Sequence, residues 1–157
     1  MVKAMYLHGR DSTGKTRKAE WIKQQVPALL SPTFEGPLAH RMEQLEPLLQ
    51  TESWVLIGSS YGGLMAAVWT HLHPDRVVRL ILLAPALHYE DFSPPFPVAT
   101  PTLLIHGQAD TVVPPDLTEE KARRAFANLT VRRVQDDHRL LSTCESLAWP
   151  ALIESGW

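Results

Sequence analysis

The chain has 157 residues, enough for one domain with a proper core and too few for two ordinary ones. Hydrophobic residues make up 45% and charged residues 20%, the balance of a soluble globular protein. A net charge of −2 argues against nucleic acid or an anionic membrane as partner, and one cysteine, Cys144, excludes an internal disulfide and fits a reducing compartment.

Lys3 to His8 is an apolar segment of strand length, and no signal-peptide layout leads into it. Ala19, Ile22 and Val26 recur at helical spacing, so Thr16 to Val26 reads as a helix with Ser12 or Thr13 as its cap. Leu29 to Ser31 reads as a short strand among prolines, and His40 to Gln50 as a helix despite Pro47. Trp54 to Gly58 is a strand. Tyr61 to Leu72 is a helix apolar on nearly every side, which predicts packing against a sheet over much of its surface. Val77 to Leu83, Thr102 to His106 and Thr130 to Gln135 are further strands, and Leu117 to Asn128 and Leu141 to Ile153 the remaining helices. The longest apolar stretch, Val77 to Leu87, is interrupted by Arg79 and cannot span a bilayer, so a cytoplasmic protein is expected.

Strands alternating with helices predict parallel βαβ units. The expected architecture is α/β, a three-layer sandwich around a mostly parallel sheet, with residues 1–157 as one domain. Trp54–Ile57 and Leu80–Ala84 are unbroken enough to be inner strands covered on both faces. In such sheets function gathers outside the carboxyl ends of the strands. The residues that follow each strand therefore carry the functional reading.

After the second long strand comes Gly58-Ser59-Ser60-Tyr61-Gly62-Gly63. Ser60 stands at the centre of a G-x-S-x-G pattern between a strand and a helix, the layout of a nucleophile elbow. A serine is a poor nucleophile until a base takes its proton. Candidate partners follow two later strands. His106-Gly107-Gln108-Ala109-Asp110 supplies an acid, and Asp136-Asp137-His138 supplies a histidine. Asp137 is a weaker candidate acid than Asp110, because it adjoins His138 in sequence and is expected to face solvent. His8 and His106 precede glycines at strand ends and are expected to bond to neighbouring loops.

The order Ser60, Asp110, His138 is that of an α/β-hydrolase. Together with His8-Gly9 after the first strand and Val113-Pro114 after Asp110, it makes nearly the whole chain resemble the α/β-hydrolase superfamily. It is most similar to small capless bacterial serine esterases whose first loop begins Tyr-Leu-His-Gly, here Tyr6 to Gly9. The resemblance implies a minimal fold without a lid domain, since the chain from Leu83 to Pro101 has no room for one. The chemistry then gives each residue a role. Ser60 attacks a carbonyl carbon, His138 moves the proton, and Asp110 orients His138. The backbone N–H of Tyr61 and one from the first loop, assigned to Arg10 with Gly9 or Asp11 as alternatives, hold the oxyanion. The expected substrate is a small carboxylic ester, with no metal or organic cofactor. The oligomeric state is not legible.

Two further motifs compete for the first loop. Gly9-x4-Gly14-Lys15-Thr16 matches the phosphate-binding loop of nucleotide-binding proteins and small-molecule kinases. No strand ends in the acid such an enzyme needs to hold Mg²⁺, which disfavours that alternative. Lys15, Arg17 and Lys18 crowd a helix start, where the dipole disfavours cations. They are either a solvated face or a device that selects an anionic ester. Tyr89, Phe92 and Phe96, in a proline-rich segment expected to lie over the site, are either walls of an acyl pocket or ordinary packing.

Overall fold

The computed structural model describes residues 2–50, 52–89 and 92–157. Five parallel strands form one sheet in the order β1 (Lys3–Leu7), β2 (Trp54–Ser59), β3 (Val77–Leu83), β4 (Thr102–Gly107) and β5 (Leu129–Val134). β2, all but the start of β3, and β4 are buried on both faces, as their unbroken apolar sequences require.

Side chains alternate along each strand, so each face has its own core. Met5, Leu7, Leu56, Leu80, Leu82 and Leu104 point to one face. There they pack under helices α2 (Leu38–Leu49), α3 (Tyr61–Leu72) and α4 (Pro115–Ala125). Ala4, Tyr6, Val55, Ile57, Ile81 and Ile105 point to the other. That face is covered by α1 (Arg17–Gln25), α5 (Leu141–Ser146) and α6 (Trp149–Glu154). The result is the expected three-layer sandwich.

The connection pattern decides where a site can form. Leu30 forms a single parallel bridge to Met5, on the side of β1 away from β2. The chain therefore leaves β1 in one direction, turns back, and passes β1 to enter β2. Right-handed crossovers then place α1 on one face and α2 on the other. The carboxyl ends of β1 and β2 are left as a crevice at the point where the winding reverses, the preferred ligand position in such sheets.

Several expected boundaries move. The cap of α1 is Thr16, whose hydroxyl accepts from the Ala19 N–H at 3.1 Å. Thr13 instead accepts from the Lys15 N–H, and Ser12 donates to the Gly9 carbonyl. The strand expected at Leu29–Ser31 shrinks to the Leu30 bridge, since flanking Pro27 and Pro32 have no N–H to extend a ladder. The single helix expected from Leu141 to Ile153 is two short ones. Pro150 cannot continue the first, because its ring would meet the carbonyl four residues back. It is tolerated in the first turn of the second. No described helix is long and apolar enough to cross a membrane. The connection from β3 to β4 carries no helix among its described residues.

Candidate active site

Ser60 sits between β2 and α3 with φ 53° and ψ −115°. This positive φ is strained for any residue with a Cβ, and such strain persists only where the surroundings over-determine it. They do so here. The Ser60 N–H donates to the Leu83 carbonyl at 3.0 Å, and the Ser60 carbonyl accepts from Gly63, Leu64 and Ala86. The glycine at 62 lets α3 press against the end of β1. A Cβ there would run into the carbonyl oxygens of Leu7 and His8.

The three residues expected to act together meet at the carboxyl edge of the sheet. His138 Nε2 lies 3.1 Å from Ser60 Oγ, and His138 Nδ1 lies 2.7 Å from Asp110 Oδ2. Asp110 is buried, yet well supplied with donors. Its Oδ1 accepts from the Val112 and Val113 N–H groups, both at 2.8 Å. Burial by itself would push the carboxyl up, but the Val113, His138 and Val112 hydrogen bonds outweigh it and hold Asp110 below the usual carboxylate range. Asp137 is exposed, accepts from the Arg139 N–H, and makes no bond to His138. A hydroxyl, an imidazole and a fixed carboxylate in this series can carry a proton away from the hydroxyl as it attacks.

Arg10 and Tyr61 flank Ser60 in a cleft of about 540 Å³. Among the described residues, neither backbone N–H has a hydrogen-bond acceptor. The Arg10 guanidinium also stacks over the Tyr61 ring at 5.6 Å.

Two further residues shape this site: Arg41, which the sequence left unmarked, and His106, expected only to bond a neighbouring loop. Arg41, on α2, is 1% exposed. Its Nη1 donates to the His8 carbonyl at 3.1 Å, and its Nη2 to the Gly9 and Arg10 carbonyls at 3.1 and 2.9 Å. A planar fork of donors spans three successive carbonyls, which fixes the loop that bears the Arg10 N–H. Nothing in the local sequence marks Arg41, because a lone arginine in an amphipathic helix looks like a solvated one. The second is His106, fully buried, with Nε2 3.0 Å from Asp110 Oδ2 and 3.2 Å from the Val113 carbonyl. Both neighbours are acceptors, so Nε2 carries the proton. Its spacing of four residues before Asp110 was the available signal. His8, the other strand-end histidine, accepts from the Phe34 N–H at 2.8 Å and so pins a loop, as expected.

The phosphate-loop match is accounted for differently. The Gly14 N–H donates to Thr33 Oγ1, and its carbonyl accepts from Ser31 Oγ. A Cβ at Gly14 would run into the carbonyls of Ser31 and Pro32. The glycine is there for close packing, and those backbone groups are not free to cradle a phosphate. Lys15 is exposed and Arg17 pairs with Glu145, while Lys18 reaches into the cleft. Of the three aromatic candidates only Tyr89 lines the cleft. Phe92 and Phe96 line a separate apolar groove with Val68, His71 and Leu72, so they do not wall this site. The loop expected over the site includes Glu90 and Asp91, which lie outside the described residues. No group of three or more His, Cys, Asp or Glu side chains is placed to hold a metal among the described residues.

A parallel sandwich with a strained serine at the switch point defines a class of proteins. Residues 8–99 match the family described as alpha/beta hydrolase fold, and the chain belongs to that family. Solved structures agree on the fold. Alpha/beta hydrolase domain-containing protein 10 from mouse is 18% identical with a TM-score of 0.76, covering 96% of this chain and 85% of its own. Est1E from Butyrivibrio proteoclasticus is 15% identical with a TM-score of 0.72, covering 99% and 85%. A monoacylglycerol lipase from Paleococcus ferrophilus is 15% identical with a TM-score of 0.72, covering 95% and 93%. No curated protein matches the chain at a significant level.

Proposed function

We propose that this protein is a serine hydrolase that cleaves a small carboxylic ester through an acyl-enzyme on Ser60. The observation that carries the reading is the hydrogen-bonded series from Ser60 Oγ through His138 to Asp110, at 3.1 and 2.7 Å, opening into a cleft. Ser60 Oγ attacks the ester carbonyl while His138 Nε2 takes its proton. His138 Nδ1–H donates to Asp110 Oδ2, which fixes the tautomer and stabilises the imidazolium. The carbonyl oxygen becomes an anion between the N–H groups of Tyr61 and Arg10, each such donor contributing about 3 kcal/mol to the transition state. Collapse expels the alcohol, which takes the proton from His138. Water, activated by the same histidine, then releases the acid and restores Ser60. Every step uses groups of the chain itself, so the mechanism needs no cofactor.

Intact-mass measurement after exposure to a fluorophosphonate tests this reading. One adduct on the wild type and none on Ser60→Ala is the expected result. An unlabelled wild type that binds Mg·ATP tightly would instead favour the phosphate-loop function.

A further inference from the structure

One wall of the cleft is built for an anion. Strand alternation sends Tyr6 and Ser59 to the α1 face, where they meet Thr16 and Lys18. The Lys18 ammonium donates to Ser59 Oγ and to the Arg139 carbonyl, both at 2.8 Å. An ammonium has three protons, and no carboxylate lies within ion-pair distance of this one among the described residues. Asp136, further off, is occupied by Thr143 and the Asp137 N–H. Burial lowers the ammonium to about 8, the expected result for a shielded cation short of counter-charge.

A second observation points to the same place. The Tyr6 side chain is fully buried and its hydroxyl has no hydrogen-bond partner, while Tyr6 is one of the residues that line the cleft. It is near the Thr16 and Ser59 hydroxyls without bonding geometry to either. Buried polar groups are normally satisfied, so an unpaired phenol beside an under-paired ammonium marks a position for an acceptor. The wider charge agrees. Arg10, Arg17, Lys18 and Arg139 line the cleft against one acid, Asp11, and only Arg17 of the four is in an ion pair among the described residues. The chain as a whole carries a net −2, so this excess of cations is local.

We propose that Tyr6, Thr16, Lys18 and Ser59 form a carboxylate-binding subsite, and that the ester cleaved at Ser60 carries a free carboxylate. This rests on the serine-hydrolase reading above and adds the substrate class to it. The carboxylate accepts from the third Lys18 proton and from the Tyr6 hydroxyl, while Arg139 and Arg10 supply a long-range attraction at the rim.

The test compares 4-nitrophenyl butyrate with 4-nitrophenyl hemisuccinate, and phenyl acetate with 3-acetoxybenzoate. The first pair places the charge on the acyl side and the second on the alcohol side. At least one anionic ester should exceed its neutral partner in kcat/KM by about tenfold, mostly through KM, the size of one charged hydrogen bond. Lys18→Met should abolish that preference, lowering kcat/KM for the anionic ester about tenfold more than for its neutral partner. Succinate should bind Ser60→Ala, and more weakly when Lys18→Met is added. Equal rates on both pairs in the wild type would overturn the proposal. So would a Lys18→Met variant that slows neutral and anionic esters alike. With Ser60 labelled by fluorophosphonate, such results sink only the carboxylate subsite. An unlabelled Ser60 would sink the parent reading as well.

Discussion

His106 and His138 approach the same oxygen of Asp110, at 3.0 and 2.7 Å. One imidazole faces the cleft and the other lies buried behind the carboxylate. The buried ring is a positioning group, because it helps fix the acceptor against which His138 is aligned.

Replacing His106 therefore tests alignment apart from chemistry. His106→Phe removes a donor to a buried carboxylate and should lower kcat by about tenfold, with KM little changed. His106→Gln keeps an N–H donor at similar reach and should recover most of the loss. Steady-state kinetics on 4-nitrophenyl acetate separates the two. Equal losses in both variants would mean that volume, not the hydrogen bond, matters at this position.

Burial holds His8, His71 and His106 below their ordinary value of 6.5, and so favours the neutral rings. The unfolded chain takes up protons near 6.5, so stability rises with pH wherever it binds more protons than the folded one. The contribution of these rings is complete above pH 6.5 and is lost as pH falls through the lower folded values. Urea midpoints should accordingly drop between pH 7.5 and 5, and His106→Gln should flatten the slope. Below 3.8 Asp110 adds a loss of the same sign, since its folded carboxyl is also depressed. A midpoint independent of pH over 7.5 to 5 would contradict the neutral buried rings.

Arg41 should matter for rate as well as for folding. Its fork ties the His8, Gly9 and Arg10 carbonyls and lies 5.0 Å over the Tyr61 ring. Arg41→Met takes the donor fork from three carbonyls, that of His8 buried, and should cost about 3 kcal/mol of stability by the urea midpoint. Arg41→Lys keeps the charge but cannot span three carbonyls in one plane. It should stay folded and lose kcat by about tenfold or more, because the loop bearing the Arg10 N–H is no longer fixed. An Arg41→Lys enzyme with normal kcat would show that the loop holds its shape unaided.

The elements that were legible in the sequence are those with a local signature. The strands β2 and β3 and the helix α3 follow from unbroken apolar runs, and Ser60 from the glycines around it. Asp110 and His138 were legible because topology puts strand ends together, so position after a strand stands in for proximity. Arg41 and Tyr6 were not. Their significance comes from what the fold brings against them, three carbonyls in one case and a missing partner in the other. The Gly14-Lys15-Thr16 match, already disfavoured by the missing Mg²⁺ acid, also has its reason outside the local sequence. Its glycine answers to the Ser31 and Pro32 carbonyls, which are distant in sequence.

Two glycines near Ser60 should separate folding from function. At Gly62 an added Cβ meets the backbone of β1, with the His8 carbonyl oxygen at 2.6 Å, and backbone cannot step aside. Gly62→Ala should lose about 3 kcal/mol or more, or fail to fold, because α3 must lift off the sheet. At Gly9 the nearest atoms to a new Cβ are Ser12 Oγ at 3.7 Å and Ser60 Cβ at 3.8 Å, ordinary contacts. Gly9→Ala should keep its urea midpoint. The methyl group would nevertheless stand beside Ser60, where an ester must approach, so KM should rise. Denaturation curves and KM for 4-nitrophenyl acetate read the two effects. A folded, stable Gly62→Ala would show that the close approach of α3 to β1 is not what holds the elbow in its strained shape.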